Sequence, residues 1–147
     1  MQKYGLSTFL FGFCLLASHS LSAEVSHVNN QELAQLIKDG VPVIDIRRAE
    51  EWQQTGVVEG SHLLTFFDKR GGYNFPKWME AFSQIVPDRD TPFVLICRTG
   101  NRTNILSQAL DKQLGYVKTY NVKKGITHWK AEKLPVVAPE IFAADSD

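Results

Sequence analysis

Apolar residues follow two different spacings along this chain, and each spacing predicts a different kind of element. Short apolar runs over residues 42–46 and 92–96 are typical of buried strands. The alternating stretch 116–120 predicts another strand, and residues 61–67 contain a plausible further one. The pattern therefore supplies four candidate strands.

Between these strands, apolar residues recur at intervals of three and four, which predicts helices. Asn29 or Asn30 can cap the first helix, which we expect to end at residues 39–40. Pro76 suits the first turn of another helix. Further helices are predicted over residues 49–54, 101–114 and 125–130.

Strands that alternate with helices predict a parallel sheet that is covered by helices on both faces. No internal repeat, low-complexity segment or linker divides the chain. In such sheets, ligands collect outside the carboxyl ends of the strands. Cys97 directly follows the strand predicted over residues 92–96, so we expect the thiol to lie at that edge.

The first 23 residues have the pattern of an export signal. Lys3 provides a basic start, and residues 6–17 are almost wholly apolar but shorter than the roughly 20 residues that a bilayer span needs. Small and polar residues then lead to a cleavage site after Ala23 or slightly earlier. We expect a signal peptide over 1–23, a single domain over 24–147, and export to a bacterial periplasm with no stable membrane anchor after cleavage. The alternatives are an uncleaved anchor and a buried core helix.

Charge and cysteine content narrow the function further. The chain has 16 basic and 16 acidic side chains, and losing Lys3 with the signal leaves a net charge of about −1. This balance argues against a nucleic-acid or membrane-surface role. Cys14 leaves with the signal, so Cys97 is the single cysteine of the predicted domain and has no internal disulfide partner. No spaced His, Cys or Glu cluster indicates a metal site.

The segment around this cysteine has the character of an active site. It places a strand end, a short loop and a helix start in succession: Cys97-Arg98-Thr99-Gly100-Asn101-Arg102-Thr103. Amide groups that converge in such a loop, together with the helix dipole and two arginines, favour an anion. We therefore expect a reactive thiolate beside a pocket for an anionic substrate, with the Cys97 side chain open to solvent.

This Cys-x-x-Gly-x-Arg-Thr spacing resembles the active-site loop of the rhodanese (thiosulfate sulfurtransferase) family. Other segments in the same order extend the resemblance over about residues 26–137. They are Val43-Ile44-Asp45-Ile46-Arg47 with Glu50-Glu51-Trp52, residues 56–62, and Val122-Lys123-Lys124-Gly125-Ile126 through Trp129. Val57 and Glu59 stand where the family usually has His and Pro, and Lys124 replaces a Gly. The chain is similar to single-domain, exported members of this family.

The resemblance implies a three-layer α/β fold with a five-stranded, mostly parallel sheet. It also implies a ping-pong sulfur transfer without a cofactor. The Cys97 thiolate would take the outer sulfur of thiosulfate as a persulfide and pass it to a thiophilic acceptor such as cyanide. A protein could also be the acceptor.

Substrate binding is then expected from the rest of the loop: Arg98, Thr99, Gly100, Asn101, Arg102 and Thr103. Arg98 and Arg102 are candidates for the sulfonate end of thiosulfate, because guanidinium geometry suits an oxyanion. One of the two could instead brace the loop through carbonyls or through Asp45. The Thr103 hydroxyl could donate to the sulfur anion or cap the helix turn.

Two other functions are compatible with parts of this pattern. Phosphatases and arsenate reductases with a related loop have five residues between Cys and Arg, whereas this chain has four between Cys97 and Arg102. The tighter ring favours a sulfur atom over a phosphate ester. A sulfur-carrier or protein-binding module without independent turnover would keep the same loop.

Several nearby residues have ordinary structural interpretations. Asp45 and Arg47 are expected to form an ion pair at the strand end. His62 and His128 are expected to be structural, and Trp52, Trp78 and Trp129 to pack in or near the core. Two further sets have two open interpretations each: a positive rim or solvated loops for Lys69, Arg70, Lys123 and Lys124, and a pocket mouth or strand packing for Phe66 and Phe67.

Overall fold

Five parallel strands form the central sheet of the computed structural model, which describes residues 24–140. The signal peptide predicted over residues 1–23 lies outside the described residues. The strands are Ser26–Val28 (β1), Val43–Asp45 (β2), His62–Leu63 (β3), Phe93–Ile96 (β4) and Thr119–Val122 (β5). Their order across the sheet is β1-β5-β4-β2-β3. The predicted α/β class with a five-stranded parallel sheet is confirmed.

The described residues also form helices Asn30–Lys38 (α1), Ala49–Thr55 (α2), Phe75–Ile85 (α3), Asn101–Leu114 (α4) and Gly125–Ala131 (α5). Local hydrogen bonds explain where they begin. The Asn29 side chain accepts the Glu32 N–H at 2.9 Å, and the Glu32 carboxylate accepts the Asn29 N–H at 2.8 Å. Asn74 caps α3, and Pro76 lies in its first turn. No helix within residues 24–140 is long and apolar enough to cross a membrane.

Residues of β4 and the position after it alternate between two buried clusters, one on each face of the sheet. Phe93, Leu95 and Cys97 pack on the face that α3 and α4 cover. Val94 and Ile96 pack on the face that α1 and α5 cover. Because side chains alternate along a strand, the end of β4 turns the Cys97 thiol towards the α3–α4 face.

The strands differ from the predicted ones at three places. The strand predicted over 116–120 lies at Thr119–Val122, because the Tyr116 N–H still donates to Leu110 at the end of α4 and pairing with β4 starts at Thr119. Of residues 61–67, His62–Leu63 form β3. The pattern does not predict β1, because two of its three residues are exposed.

Candidate active site

Three loops meet at the carboxyl edge of the sheet. β4 ends at Ile96 and α4 begins at Asn101, so a four-residue loop carries the thiol. β2 pairs with β4, with Asp45 opposite Ile96, and Arg47 follows two positions after Asp45. The loop after β5 leads into α5 at Gly125. The site is therefore built from the ends of neighbouring parallel strands, as its position in an α/β sheet predicts.

The Cys97 side chain lies under its own loop. The residue is 1% exposed, and the Gly100 N–H donates a hydrogen bond to Sγ over 3.2 Å. The Thr103 hydroxyl lies 3.3 Å from the same sulfur. The expectation of a thiol open to solvent is wrong for this structure, because the loop curls far enough to place the sulfur against the first turn of α4.

The Thr103 hydroxyl has one hydrogen and two neighbours that can accept it. Its oxygen lies 3.1 Å from the Gly100 carbonyl oxygen, to which it can donate, and 3.3 Å from Cys97 Sγ. While it donates to the carbonyl it can only accept from the thiol S–H. A rotation of the hydroxyl would turn its hydrogen to the sulfur. Gly100 and Thr103 can thus supply two donors to a sulfur anion.

Gly100 is required by the shape of the loop. Its φ is +90°, in the left-handed region, and a Cβ there would overlap the carbonyl oxygen of Lys123. In this conformation its N–H donates to Cys97 Sγ. The glycine therefore serves both the close packing of two loops and the hydrogen bond to sulfur.

The start of α5 holds the other side of the cysteine loop. The Ile126 N–H donates to the Cys97 carbonyl at 2.9 Å, and the Thr127 N–H donates to the Arg98 carbonyl at 3.1 Å. Gly125 has a φ of +58°, and a Cβ there would meet the Cys97 carbonyl oxygen. With these carbonyls bound by α5, the loop is fixed from outside.

Arg102 braces the loop through α2. Its guanidinium donates to both carboxylate oxygens of Glu51, at 2.9 and 2.6 Å. Burial opposes ionisation of Glu51, but the hydrogen bonds from Arg102 and from the Arg48 backbone outweigh it and lower the Glu51 pKa to about 2. The hydrogen bonds to Glu51 raise the pKa of Arg102 above its ordinary value, although partial burial of the guanidinium acts in the opposite direction. This bracing is one of the two roles that the sequence leaves open, with Glu51 as the partner instead of Asp45.

Asp45 and Arg47 form the predicted ion pair, which is fully buried. Arg47 Nη2 lies 2.7 Å from the Asp45 carboxylate, and Nε donates to it as well. The remaining guanidinium donors reach the Thr55 hydroxyl at 2.6 Å and the Gly56 carbonyl at 2.9 Å. Since both charges are paired and hydrogen-bonded inside the protein, the pair holds the end of β2 to the end of α2.

Three other predicted site residues lie on the outer surface of the loop. Arg98, Thr99 and Asn101 are exposed and line a cleft of about 800 Å³ between α2 and α5. Arg98 has no ion-pair partner among residues 24–140. Lys130 also lines this cleft. Of the two arginines in the loop, Arg98 is the one whose charge is unengaged.

The other residues that the sequence analysis singles out are basic, aromatic and histidine side chains outside the cysteine loop. Lys69 pairs with Glu50 at 3.4 Å, while Arg70, Lys123 and Lys124 are exposed. Phe66 is buried in the same cluster as Cys97, with Phe67 packed against that cluster. His62 is exposed, and His128 lies 3.0 Å from Glu132. The tryptophans are buried as predicted: Trp52, Trp78 and Trp129. Residues 24–140 contain no group of three His, Cys, Asp or Glu residues that could hold a metal ion.

Comparison with known proteins places this arrangement in a family. The family model of the rhodanese-like domain matches residues 29–132. The chain belongs to the rhodanese-like family. This match covers the cysteine loop, the Arg102–Glu51 pair and four of the five strands, so the resemblance drawn from the sequence is confirmed for a single rhodanese-like domain.

Individual relatives agree with the rhodanese-like assignment. A sulfurtransferase of Allochromatium vinosum is 31% identical over 122 residues, which cover 79% of this chain and 98% of the relative. A rhodanese-related protein of Thermoplasma volcanium is 26% identical, with a TM-score of 0.59, over 78% of this chain and 99% of that one. The polysulfide-sulfur transferase homodimer of Wolinella succinogenes shares the fold, with a TM-score of 0.61 at 19% identity over 83% of this chain and 85% of that one. Family and relatives support a role in sulfur transfer.

Proposed function

We propose that this protein is a sulfurtransferase that moves the outer sulfur of thiosulfate to a thiophilic acceptor, with Cys97 as the catalytic residue and a persulfide as the intermediate. The observation that carries the proposal is the pair of donors at Cys97 Sγ, the Gly100 N–H at 3.2 Å and the Thr103 hydroxyl at 3.3 Å. Donors aimed at a sulfur stabilise its anion before and after it gains a second sulfur.

The reaction balances in two steps. The Cys97 thiolate attacks the outer sulfur of thiosulfate, a sulfur–sulfur bond forms, and sulfite leaves with the electron pair of the bond that breaks. Cyanide then attacks the outer sulfur of the persulfide and leaves as thiocyanate, which returns the Cys97 thiolate. Neither step requires a change in net oxidation or a further reactant.

Arg98 is the proposed contact for the sulfonate end of thiosulfate. It is exposed, it lines the cleft beside the loop, and its guanidinium has no ion-pair partner in the described part of the chain. Arg102 keeps the loop in place through Glu51. Thr99 and Asn101 are exposed neighbours that can adjust around the bound donor.

The 1% exposure of Cys97 sets a condition on this mechanism. Donor and sulfur can meet only when side chains at the loop move aside, so loading depends on a local opening. The predicted export of the chain to a bacterial periplasm by residues 1–23 is part of this proposal.

Burial of the thiol also favours a second candidate function, a sulfur carrier. A persulfide that is buried under the loop would be protected from solvent until a partner protein binds and accepts the outer sulfur. The carrier and the enzyme share the loading step and differ in release.

Thiocyanate formation from thiosulfate and cyanide separates these functions. The protein purified after expression of the full chain is compared with Cys97→Ala and Cys97→Ser. Turnover by the wild type alone supports the enzyme. Uptake of sulfur without release to cyanide supports the carrier, and thiocyanate formation by Cys97→Ala at the wild-type rate would contradict both.

A further inference from the structure

A second groove lies beside α4, on the opposite side of the loop from the cleft at Arg98. It encloses about 500 Å³, and apolar side chains form most of its walls: Phe66, Phe67, Tyr73, Phe75, Ile105 and Leu106. We call it the aromatic groove. Tyr73 is 63% exposed and Ile105 is 65% exposed, the two largest values among the exposed large hydrophobic residues of the described chain. Apolar side chains this exposed are typical of a binding surface.

The rings of the aromatic groove hold one another in place. Tyr73 stacks on Phe66 with ring centroids 5.1 Å apart, and Phe67 meets Tyr73 edge-on at 5.8 Å. Phe66 also contacts the buried Trp78 edge-on at 5.2 Å. A rigid aromatic surface loses little conformational entropy on binding, which is why such residues dominate protein interfaces.

The aromatic groove lies on the same face of the sheet as the thiol. Two residues that line the groove, Phe66 and Leu106, belong to the same buried cluster as Cys97. The cleft at Arg98 lies on the other side of the same loop, where α2 and α5 also line it. The Cys97 side chain is turned towards the face of the aromatic groove.

Two basic side chains lie in or near the aromatic groove. Lys112 lines it, and Arg70 lies on the loop that leads to Tyr73. Neither side chain has an ion-pair partner among residues 24–140. The acid on that loop, Asp68, is engaged by the N–H groups of Arg70 and Gly72. An apolar floor with cationic edges fits an apolar side chain that acidic residues surround.

We infer that the aromatic groove docks a protein sulfur acceptor, which presents a cysteine next to apolar side chains within an acidic surface. This inference rests on the proposed persulfide at Cys97. Cyanide needs no such surface. The acceptor's thiolate attacks the outer sulfur of the Cys97 persulfide, the bond to Sγ breaks, and Sγ takes the electron pair, so the acceptor leaves as a persulfide.

Synthetic peptides of equal length test this. The first carries one cysteine between Leu and Phe with flanking Asp and Glu, the second replaces the acids by Lys, and the third replaces Leu and Phe by Ser. Full-chain protein is loaded with thiosulfate, and mass spectrometry follows the rate of sulfur transfer to each peptide. The rate of transfer to cyanide is measured in parallel.

The wild type should transfer sulfur at least tenfold faster to the acidic apolar peptide than to the other two. Tyr73→Ser with Ile105→Ser should slow transfer to that peptide about tenfold and leave the cyanide rate unchanged. Val117→Ser is the matched control, because Val117 is an exposed apolar residue that does not line the groove. It should change neither rate.

Equal rates for the three peptides would overturn the inference, and so would equal slowing of peptide and cyanide transfer in the double variant. A dimer in sedimentation that Ile105→Ser dissociates would also overturn it, by assigning the groove to a second copy. A protein that takes up no sulfur contradicts the proposed function as well, whereas a loaded protein that is indifferent to the peptides contradicts the docking surface alone.

Discussion

Arg102 donates to both carboxylate oxygens of Glu51, from Nη1 at 2.9 Å and from Nη2 at 2.6 Å. The two residues lie on different helices, α4 and α2, so the pair joins the start of one helix to the other across the carboxyl edge of the sheet. Bidentate pairs of this kind fix orientation as well as distance. A guanidinium held this way fixes the position of the cysteine loop and is not free to bind a substrate.

Replacing the carboxylate should weaken the fold in a pH-dependent way. The Glu51 pKa is about 2 in the folded chain against an ordinary value of 4.5, so its ionised form stabilises the fold above about pH 4.5. This contribution is lost as pH falls from 4.5 towards 2. We expect Glu51→Gln to cost about 1–2 kcal/mol at pH 7, since solvent screens a pair that is partly exposed.

Urea unfolding of wild type and Glu51→Gln from pH 7 to pH 2.5 measures this. The difference in unfolding free energy should be constant above about pH 4.5 and shrink below it. A difference that stays the same at every pH would mean that the carboxylate charge contributes nothing.

Substitutions of Arg98 and Arg102 should have different effects on kinetics and on stability. Arg98→Ala removes an exposed cation without an ion-pair partner in the described chain, so we expect a higher KM for thiosulfate and an unchanged melting temperature. Arg102→Ala removes the brace and should lower both melting temperature and kcat. Arg98→Lys is the matched control and should recover part of the affinity for thiosulfate, because lysine keeps the positive charge but cannot donate two parallel hydrogen bonds as a guanidinium does. The same loss of melting temperature in both alanine variants would contradict the division of roles.

Removing the Thr103 hydroxyl should slow persulfide formation. Thr103→Val keeps the shape of the side chain but loses a donor to the sulfur anion, which is worth about 1–1.5 kcal/mol or roughly a tenfold lower rate. Thr103→Ser retains the donor and should stay near the wild-type rate. Stopped-flow measurement of sulfite release gives both rates, and equal rates for the valine and serine variants would rule out this role of the hydroxyl.

Gly100 should tolerate no side chain, whereas another glycine of similar backbone conformation should. Gly100→Ala adds a Cβ against the Lys123 carbonyl at a φ of +90°. We therefore expect the unfolding free energy to fall by at least about 2 kcal/mol, and we expect sulfur uptake to be lost. Gly40→Ala is the control, because Gly40 has a φ of +76° but open space around it, and strain alone costs about 1 kcal/mol. Equal losses in the two variants would show that loop packing contributes nothing.

Local pattern predicts much of this fold. The helix starts at Asn29 and Pro76 and the buried strand before Cys97 follow from caps and apolar runs, which act over a few residues. The strand after Tyr116 starts later than its alternation indicates, because a hydrogen bond to the end of α4 decides its first paired residue.

The geometry of the active site cannot be predicted from local sequence patterns to the same extent. The spacing of the cysteine loop identifies its residues but not its closure, which leaves Cys97 1% exposed. The partner of Arg102 lies 51 positions away, and only the folded chain brings Glu51 of α2 to it. The role of Gly125, whose missing Cβ admits the Cys97 carbonyl, likewise depends on how two loops approach.

The most direct test of the central claim is the intact mass of the reduced protein before and after incubation with thiosulfate, and again after cyanide. We expect a gain of one sulfur atom on the wild type, its removal by cyanide, and no gain on Cys97→Ser. An unchanged mass in a protein whose Cys97 is shown beforehand to be a free thiol would contradict persulfide chemistry at this site.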